Sequence, residues 1–216
     1  MSKYVAIAID GPAASGKSTL ARNLSEQLDL IMVNSGEMYR ALTWKVLEQG
    51  ADPTDATAVI QVMQDTDLQC SVEGRHSVVS VDGRKAGDEL RCESVNQNVS
   101  FIAAVPEVRE KMVTLQRSFL QHGNVIMEGR DIGSVVFPDT PYKLYLDADT
   151  SVRSGRREAM GEVDAVEERD RLDSQRHVSP LKIADGAAVL DTSSHTIESG
   201  VAAAIELLRQ QGLPLL

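Results

Sequence analysis

Residues 4–24 read YVAIAIDGPAASGKSTLARNL, and within a few positions the chain passes from an apolar run to glycines, a lysine and hydroxyls. Tyr4 to Ile9 is short and apolar, the pattern of a strand buried on both faces. Leu20, Leu24 and Leu28 recur at helical spacing, which predicts a helix from Gly16 onward. Between them, Gly11, Pro12, Ala13, Ala14, Ser15, Gly16, Lys17 and Ser18 match G-x-x-x-x-G-K-[ST] at every position. Glycine lets the backbone curl so that successive N–H groups converge on phosphate oxygens, and the following helix aims its positive end at the same point. Lys17, on what reads as an exposed loop, is placed to reach the β- and γ-phosphates of a nucleotide, and the Ser18 hydroxyl to ligate Mg2+. Gly11 to Thr19 is thus the candidate ATP-binding loop.

The rest of the chain sets bounds on what that loop serves. At 216 residues it is long enough for one sizeable core with a small insertion. A net charge of −10 argues against broad nucleic-acid or membrane-surface binding. Arginine nevertheless outnumbers lysine about two to one, which suits bidentate grips on a local anionic ligand. Cys70 and Cys92 form no C-x-x-C, as expected of a reduced intracellular protein. Without an apolar run of membrane-spanning length or a signal-peptide pattern, the expected location is the cytoplasm.

Further along, Asn34 or Ser35 is expected to cap a helix carrying Met38, Leu42, Val46 and Leu47, ended by Gly50. A second helix starts near Pro53. LQCSVEGRHSVVSVDGRK, residues 68–85, then alternates in period two around Glu73-Gly74-Arg75 and Asp82-Gly83, a hairpin signature. Helices are predicted over 92–121 with a break at Pro106, and short strands at NVIM, YKLYL and AAVLD. A charged helical stretch covers 151–178, and a last amphipathic helix turns Leu207 and Leu208 inward. Strands alternating with helices imply a parallel sheet with ligands at the carboxyl ends of its strands.

Arginines gather where those ends should be. NSGEMYR places Ser35 and Arg40 after the second apolar segment, and VIMEGRDIG places Glu128, Arg130 and Asp131 directly after a strand. Arg169, Asp173 and Arg176 stand at helical spacing, and VRSGRR supplies Arg153, Arg156 and Arg157. No N-K-x-D guanine reader is present, which disfavours a GTPase.

Together, GPAASGKST, NSGEMYR, VDGRKAGDELR, VSFIAAVPEVRE, EGRDIGSVVFPD, VRSGRR and RDRLDSQR resemble bacterial-type cytidylate kinase, a nucleoside monophosphate kinase, along nearly the whole chain. The resemblance implies an α/β P-loop kinase fold over residues 1–216: a parallel five-stranded sheet flanked by helices, with an inserted small antiparallel β subdomain and a lid. The monophosphate-binding region would span about 34–104, including the insertion at 68–87, and the lid about 151–168. On the matching positions, Ser100, Arg109 and Asp131 would read cytosine. Arg40, Arg130 and Arg176 would hold the acceptor phosphate, Arg169 and Asp173 would meet the ribose, and Ser35 would sit beside the nucleotide. Lys17, Arg130, Arg153 and Arg157 would be catalytic, the last two from the lid. The implied reaction is transfer of the ATP γ-phosphoryl group to CMP or dCMP with Mg2+, by a chain acting as a monomer without nucleic acid or membrane.

Cytosine offers an N4 donor beside N3 and O2 acceptors, so a carboxylate with an arginine suits it, whereas uracil sets O4 against the carboxylate. A kinase of the same fold acting on UMP or a non-nucleotide such as shikimate, a nucleotide sensor without turnover, and a nucleic-acid-processing ATPase are the alternatives. Lys17→Ala is expected to lose phosphoryl transfer by about 10²-fold or more while remaining folded, as read by steady-state turnover and a thermal melt.

Overall fold

The computed structural model describes residues 4–159, 166–176 and 178–214, with side chains of residues 166–169 outside that description. Along the chain run β1 (Ala6–Asp10), α1 (Lys17–Gln27), β2 (Ile31–Asn34), α2 (Ser35–Glu48), α3 (Ala56–Asp65), β3 (Leu68–Glu73), β4 (His76–Val81) and β5 (Arg84–Lys85). There follow α4 (Glu93–Ile102), α5 (Pro106–Ser118), β6 (Val125–Gly129), β7 (Lys143–Asp147), α6 (Thr150–Ala159), α7 (Val166–Ser174), β8 (Ala188–Asp191) and α8 (Ile197–Gln210). Of the expected lid at 151–168, residues 160–165 lie outside the described residues.

Five strands pair in parallel in the order β2-β6-β1-β7-β8. Central β1 is buried throughout, and its alternation serves two cores. Ala6 and Ala8 pack with Met38, Leu42, Val59, Val99 and Met112 of the helices on one face. Ile7 and Ile9 pack with Leu20, Leu24, Val201 and Leu208 of α1 and α8 on the other. The same period in β6 sends Val125 and Met127 to the first core and Ile126 to the second. Glu128, two residues on from Ile126, therefore emerges on the α1 side, beneath the loop at 11–18.

The hairpins expected at 68–85 form, with Asp82 and Gly83 both at positive φ (51° and 78°), as a two-residue turn of that kind requires. They also touch the main sheet. β4 joins the main sheet beside β2 at one register point, Met32 opposite His76, where Met32 N–H donates to the Arg75 carbonyl at 2.8 Å. An otherwise open sheet edge is thereby covered. Arg84 lies 5.4 Å above the Trp44 ring and Lys45 meets Asp82 at 3.0 Å, so the insertion also rests on α2.

Side-chain caps follow local chemistry at α3 and α8. Asp55 accepts from the amides of Thr57 and Ala58 at the start of α3, and Thr196 from Ser199 N–H at the start of α8. Asn34 occupies the cap position of α2 but makes no side-chain cap bond, and the Ser35 hydroxyl donates to the Glu128 carbonyl at 2.7 Å instead. That tertiary bond ties the start of α2 to the end of β6.

Gly11 has φ +148°, and a Cβ there would meet the Leu146 carbonyl oxygen of β7 at 2.0 Å. Gly11→Ala is expected to cost roughly 3 kcal/mol or more in denaturant unfolding, through strain and overlap with backbone that has nowhere to move. Gly74→Ala, at φ +60° with nothing within 4 Å, is the comparison and should cost only the left-handed penalty of about 1–2 kcal/mol.

Candidate active site

The loop at 11–18 joins β1 to α1, with Gly16 in the left-handed region at φ +89° and the first helical bond running from Leu20 N–H to the Gly16 carbonyl. The amides of Lys17, Ser18 and Thr19 precede that bond and have no acceptor within the helix, so they are available to an anion. Four successive carbonyls are meanwhile each held by a donor, one from within the loop and three from other parts of the chain. The Lys17 ammonium donates to Pro12, Arg153 Nη1 to Ala13 at 3.3 Å, Arg156 Nη1 to Ala14 at 3.3 Å, and Thr192 Oγ1 to Ser15 at 3.0 Å.

Lys17 is buried, not exposed as its loop position suggests, because it folds back on Pro12 and lies 3.3 Å from Ser15 Oγ. Burial, reinforced by the Arg130 charge, brings its pKa down to about 7. Asp10, at the end of β1, is pushed up to about 6 by burial, even though it accepts from the amides of Ile132 and Gly133 at 2.7 Å each. Those two bonds fix the turn that carries Arg130 and Asp131. Ser18 Oγ donates to Glu128 Oε1 at 2.5 Å, setting a hydroxyl and a carboxylate side by side. Hard oxygen donors of this kind fit Mg2+, which is commonly held by one or two protein oxygens together with substrate phosphates. Among the described residues no group of three or more His, Cys, Asp or Glu could hold a metal without such help.

A cleft of about 640 Å³ runs over this loop and is bordered by Lys17, Ser18, Arg156 and Arg157, with Leu190, Thr192 and Val201 at one end. A smaller hollow of about 80 Å³ adjoins it, lined by Ser35, Tyr39, Ser100, Arg109, Asp131, Asp173 and Arg176. Arg40 and Arg130 border both spaces. Two cavities therefore meet at a boundary that carries these two guanidinium groups together with Asn34, Gly36 and Glu128.

Inside the small hollow Arg109, Arg130 and Arg176 are each paired with an acid. Arg109 pairs with Asp131, both nearly inaccessible, donates to the Ala103 carbonyl at 3.0 Å, and lies 5.6 Å above the Tyr39 ring. Asp173 accepts from Arg130 Nε at 2.9 Å, from Ser100 Oγ at 3.3 Å, and from Arg176. Arg176 sits beyond the last residue of α7, so it approaches Asp173 from the following turn and not from the same helical face. Arg40 donates to the Leu90 carbonyl at 2.8 Å and to Asn96 Oδ1 at 2.7 Å.

The expected site residues thus divide as follows. Ser35, Arg40, Ser100, Arg109, Arg130, Asp131, Asp173 and Arg176 converge on the small hollow, while Ala13, Ala14, Gly16 to Thr19 and Arg157 line the large cleft, and Gly11, Pro12 and Ser15 do not border it. Arg153 does not border either space; it lies behind the loop, paired with Asp170 and donating to the Ala148 carbonyl at 2.9 Å. The side chain of Arg169 is outside the described residues. Sequence reasoning did not assign Asn96, Asp170 or Asp10 to the site. Asn96 stands four residues before Ser100 on α4, and Asp170 three before Asp173 on α7, spacings that put each beside an assigned residue.

Residues 7–210 match the family model described as cytidylate kinase. The chain is 38% identical over 222 residues to a protein named cytidylate kinase from Geobacillus thermodenitrificans (strain NG80-2), covering 98% of this chain and 99% of that one. Similarity at the same identity, over 222 residues, extends to a cytidylate kinase of Geobacillus kaustophilus (strain HTA426), again over 98% of this chain and 99% of the other. A cytidylate kinase of Exiguobacterium sibiricum is 38% identical over 216 residues, covering 95% and 97%.

An amine with a pKa of about 7 is mostly uncharged at pH 8, and a phosphate held against it raises that pKa. Binding of ATP at pH 8 is therefore expected to take up a substantial fraction of a proton. Calorimetry in buffers of different ionisation enthalpy reads the uptake, which should vanish in Lys17→Ala. Buffer-independent heats in the unaltered protein would contradict it.

Proposed function

This chain belongs to the cytidylate kinase family, and we propose that it moves the γ-phosphoryl group of ATP to CMP or dCMP across the boundary formed by Arg40 and Arg130. ATP lies along the large cleft and the monophosphate in the small hollow; ADP and CDP or dCDP are the products. The observation that carries this division is the pair of arginines bordering both spaces, since donor and acceptor phosphates must be brought together against their mutual repulsion.

The acceptor oxygen is already an anion near neutral pH, so no strong general base is needed, in keeping with a chain that has four histidines and none among the residues assigned here. What limits the reaction is electrostatic. Arg40, Arg130 and Arg176 hold the acceptor phosphate, while Lys17 and Arg157 face the group in flight and offset its charge. Arg153 contributes from behind the loop, through the Ala13 carbonyl it holds. Asp131 accepts from cytosine N4, Arg109 donates to the ring acceptors, and Ser100 completes the base site. Asp173 with Arg169 meets the ribose, and Ser35 fixes the floor beside the nucleotide. Ser18, backed by Glu128, would hold Mg2+ together with the ATP phosphates, and the ion would supply further charge neutralisation there.

Residues 34–104 serve as the monophosphate-binding region and 151–168 as the lid. Action as a monomer is part of the same proposal. Among the described residues no helix is long and apolar enough to cross a membrane; a cytoplasmic site of action accords with that and with the acidic charge.

The decisive experiment is coupled ADP release with CMP, dCMP, UMP and AMP under MgATP, where turnover confined to the cytosine nucleotides is expected. A residue-level test follows from the Arg109–Asp131 pair. Deleting one partner of a buried ion pair costs about 3–5 kcal/mol, so Asp131→Asn is preferred to alanine, because it keeps an oxygen for Arg109. Its amide would donate to uracil O4 where the carboxylate repels it. CMP kcat/KM should fall by about 5- to 150-fold while UMP holds or rises, for a pairing difference of about 1–3 kcal/mol on each base. Arg130→Ala should weaken both acceptors alike, because phosphate is common to them. A C-over-U ratio unchanged in Asp131→Asn would remove this residue from base reading.

A further inference from the structure

Among the acids of α7, Asp170 and Asp173 stand three residues apart, about one helical turn, and therefore on one side. They face opposite halves of the site. Asp173 grips Arg130 and Arg176, the acceptor-phosphate arginines. Asp170 reaches the nucleotide loop, where its Oδ1 accepts from Ala13 N–H at 3.1 Å and its Oδ2 pairs with Arg153. Arg153 in turn donates to the Ala13 carbonyl. Both polar groups of Ala13 are thus held by one ion pair between α6 and α7.

The loop needs such a hold. Ala14, the next residue, has φ +58°, a left-handed conformation that a residue with a Cβ adopts only at a cost of about 1–2 kcal/mol. Glycine would relax there; alanine is strained, so the peptides around it are set by what grips them from outside. Displacing α7 would therefore alter Ala13, and fixing α7 would fix it.

We propose that Asp170 is a positioning residue that couples the two substrate sites. CMP bound against Arg130 and Arg176 fixes Asp173 and hence α7, and Asp170 then presents the Ala13 peptide in the orientation that ATP phosphates require. ATP binding to a loop already ordered loses less conformational freedom, so the two ligands bind cooperatively. This rests on the assignment of the small hollow to CMP.

The test is calorimetric binding of the non-transferable analogue β,γ-imido-ATP with Mg2+, alone and in the presence of saturating CMP. In the unaltered enzyme CMP should tighten the analogue by about 5-fold or more. In Asp170→Ala the factor should fall to within about 2-fold of unity while each ligand alone still binds. Asp170→Asn keeps an oxygen for Ala13 N–H but no charge for Arg153, and should fall between; it decides the matter if the alanine variant does not fold. A merely structural role would lower the melting temperature and weaken both ligands while leaving the factor intact. A factor of one in the unaltered enzyme, or an undiminished factor in the variants, overturns the coupling alone. Failure of CMP to bind the unaltered enzyme overturns the acceptor assignment together with it.

Discussion

The carbonyls of Pro12, Ala13, Ala14 and Ser15 must point away from the cleft if the neighbouring amides are to face a phosphate, and each finds a separate donor. Lys17 supplies one from within the loop, α6 supplies two through Arg153 and Arg156, and Thr192 just beyond β8 supplies the last. A buried peptide oxygen left without a partner is costly, so the loop holds its shape only while these elements stay docked. Gly11 contributes at the start of the same turn, where close approach to the Leu146 carbonyl excludes any side chain. The nucleotide loop is consequently a product of the whole upper rim of the sheet, although its residues are consecutive.

Around it, the site resolves a conflict between dryness and charge. An acidic chain concentrates arginines in a hollow where Arg109, Asp131 and Asp173 are almost wholly buried. Ionised groups taken from water are tolerated only when paired and hydrogen-bonded, and here each acid meets a guanidinium. The same dryness depresses Lys17 and raises Asp10. Groups held in this way respond strongly when a phosphate enters, which is the condition electrostatic catalysis of phosphoryl transfer needs.

Strand parity connects this chemistry to the core. One alternation of β6 packs Val125 and Met127 on one face and Ile126 on the other, and delivers Glu128 to Ser18 beneath the loop. Gly129 follows in a position where a Cβ would stand 2.6 Å from Ser35 Oγ, so the strand end and the start of α2 touch directly. Arg130 and Asp131 then leave the sheet on a turn clamped by Asp10.

The chain's own order of residues was enough to determine the nucleotide loop, the α/β alternation, the two hairpins and the arginine set at the strand ends. Those signals are local: glycine spacing, period two against period 3.6, and turn dipeptides act through the nearest few residues. Tertiary structure alone decided that Arg153 turns behind the loop while Arg156 and Arg157 face the cleft, for three arginines at positions 153, 156 and 157 share one helical face and spacing cannot separate them. It also decided that Asp173 meets Arg130 of a distant strand end, that Asp170 reaches Ala13 across 157 residues, and that the hairpins extend the sheet edge beside β2. The physical reason is common to these cases. Which partner a buried charge or an open strand edge takes depends on what the fold brings within hydrogen-bond reach, and that distance is not written in sequence spacing.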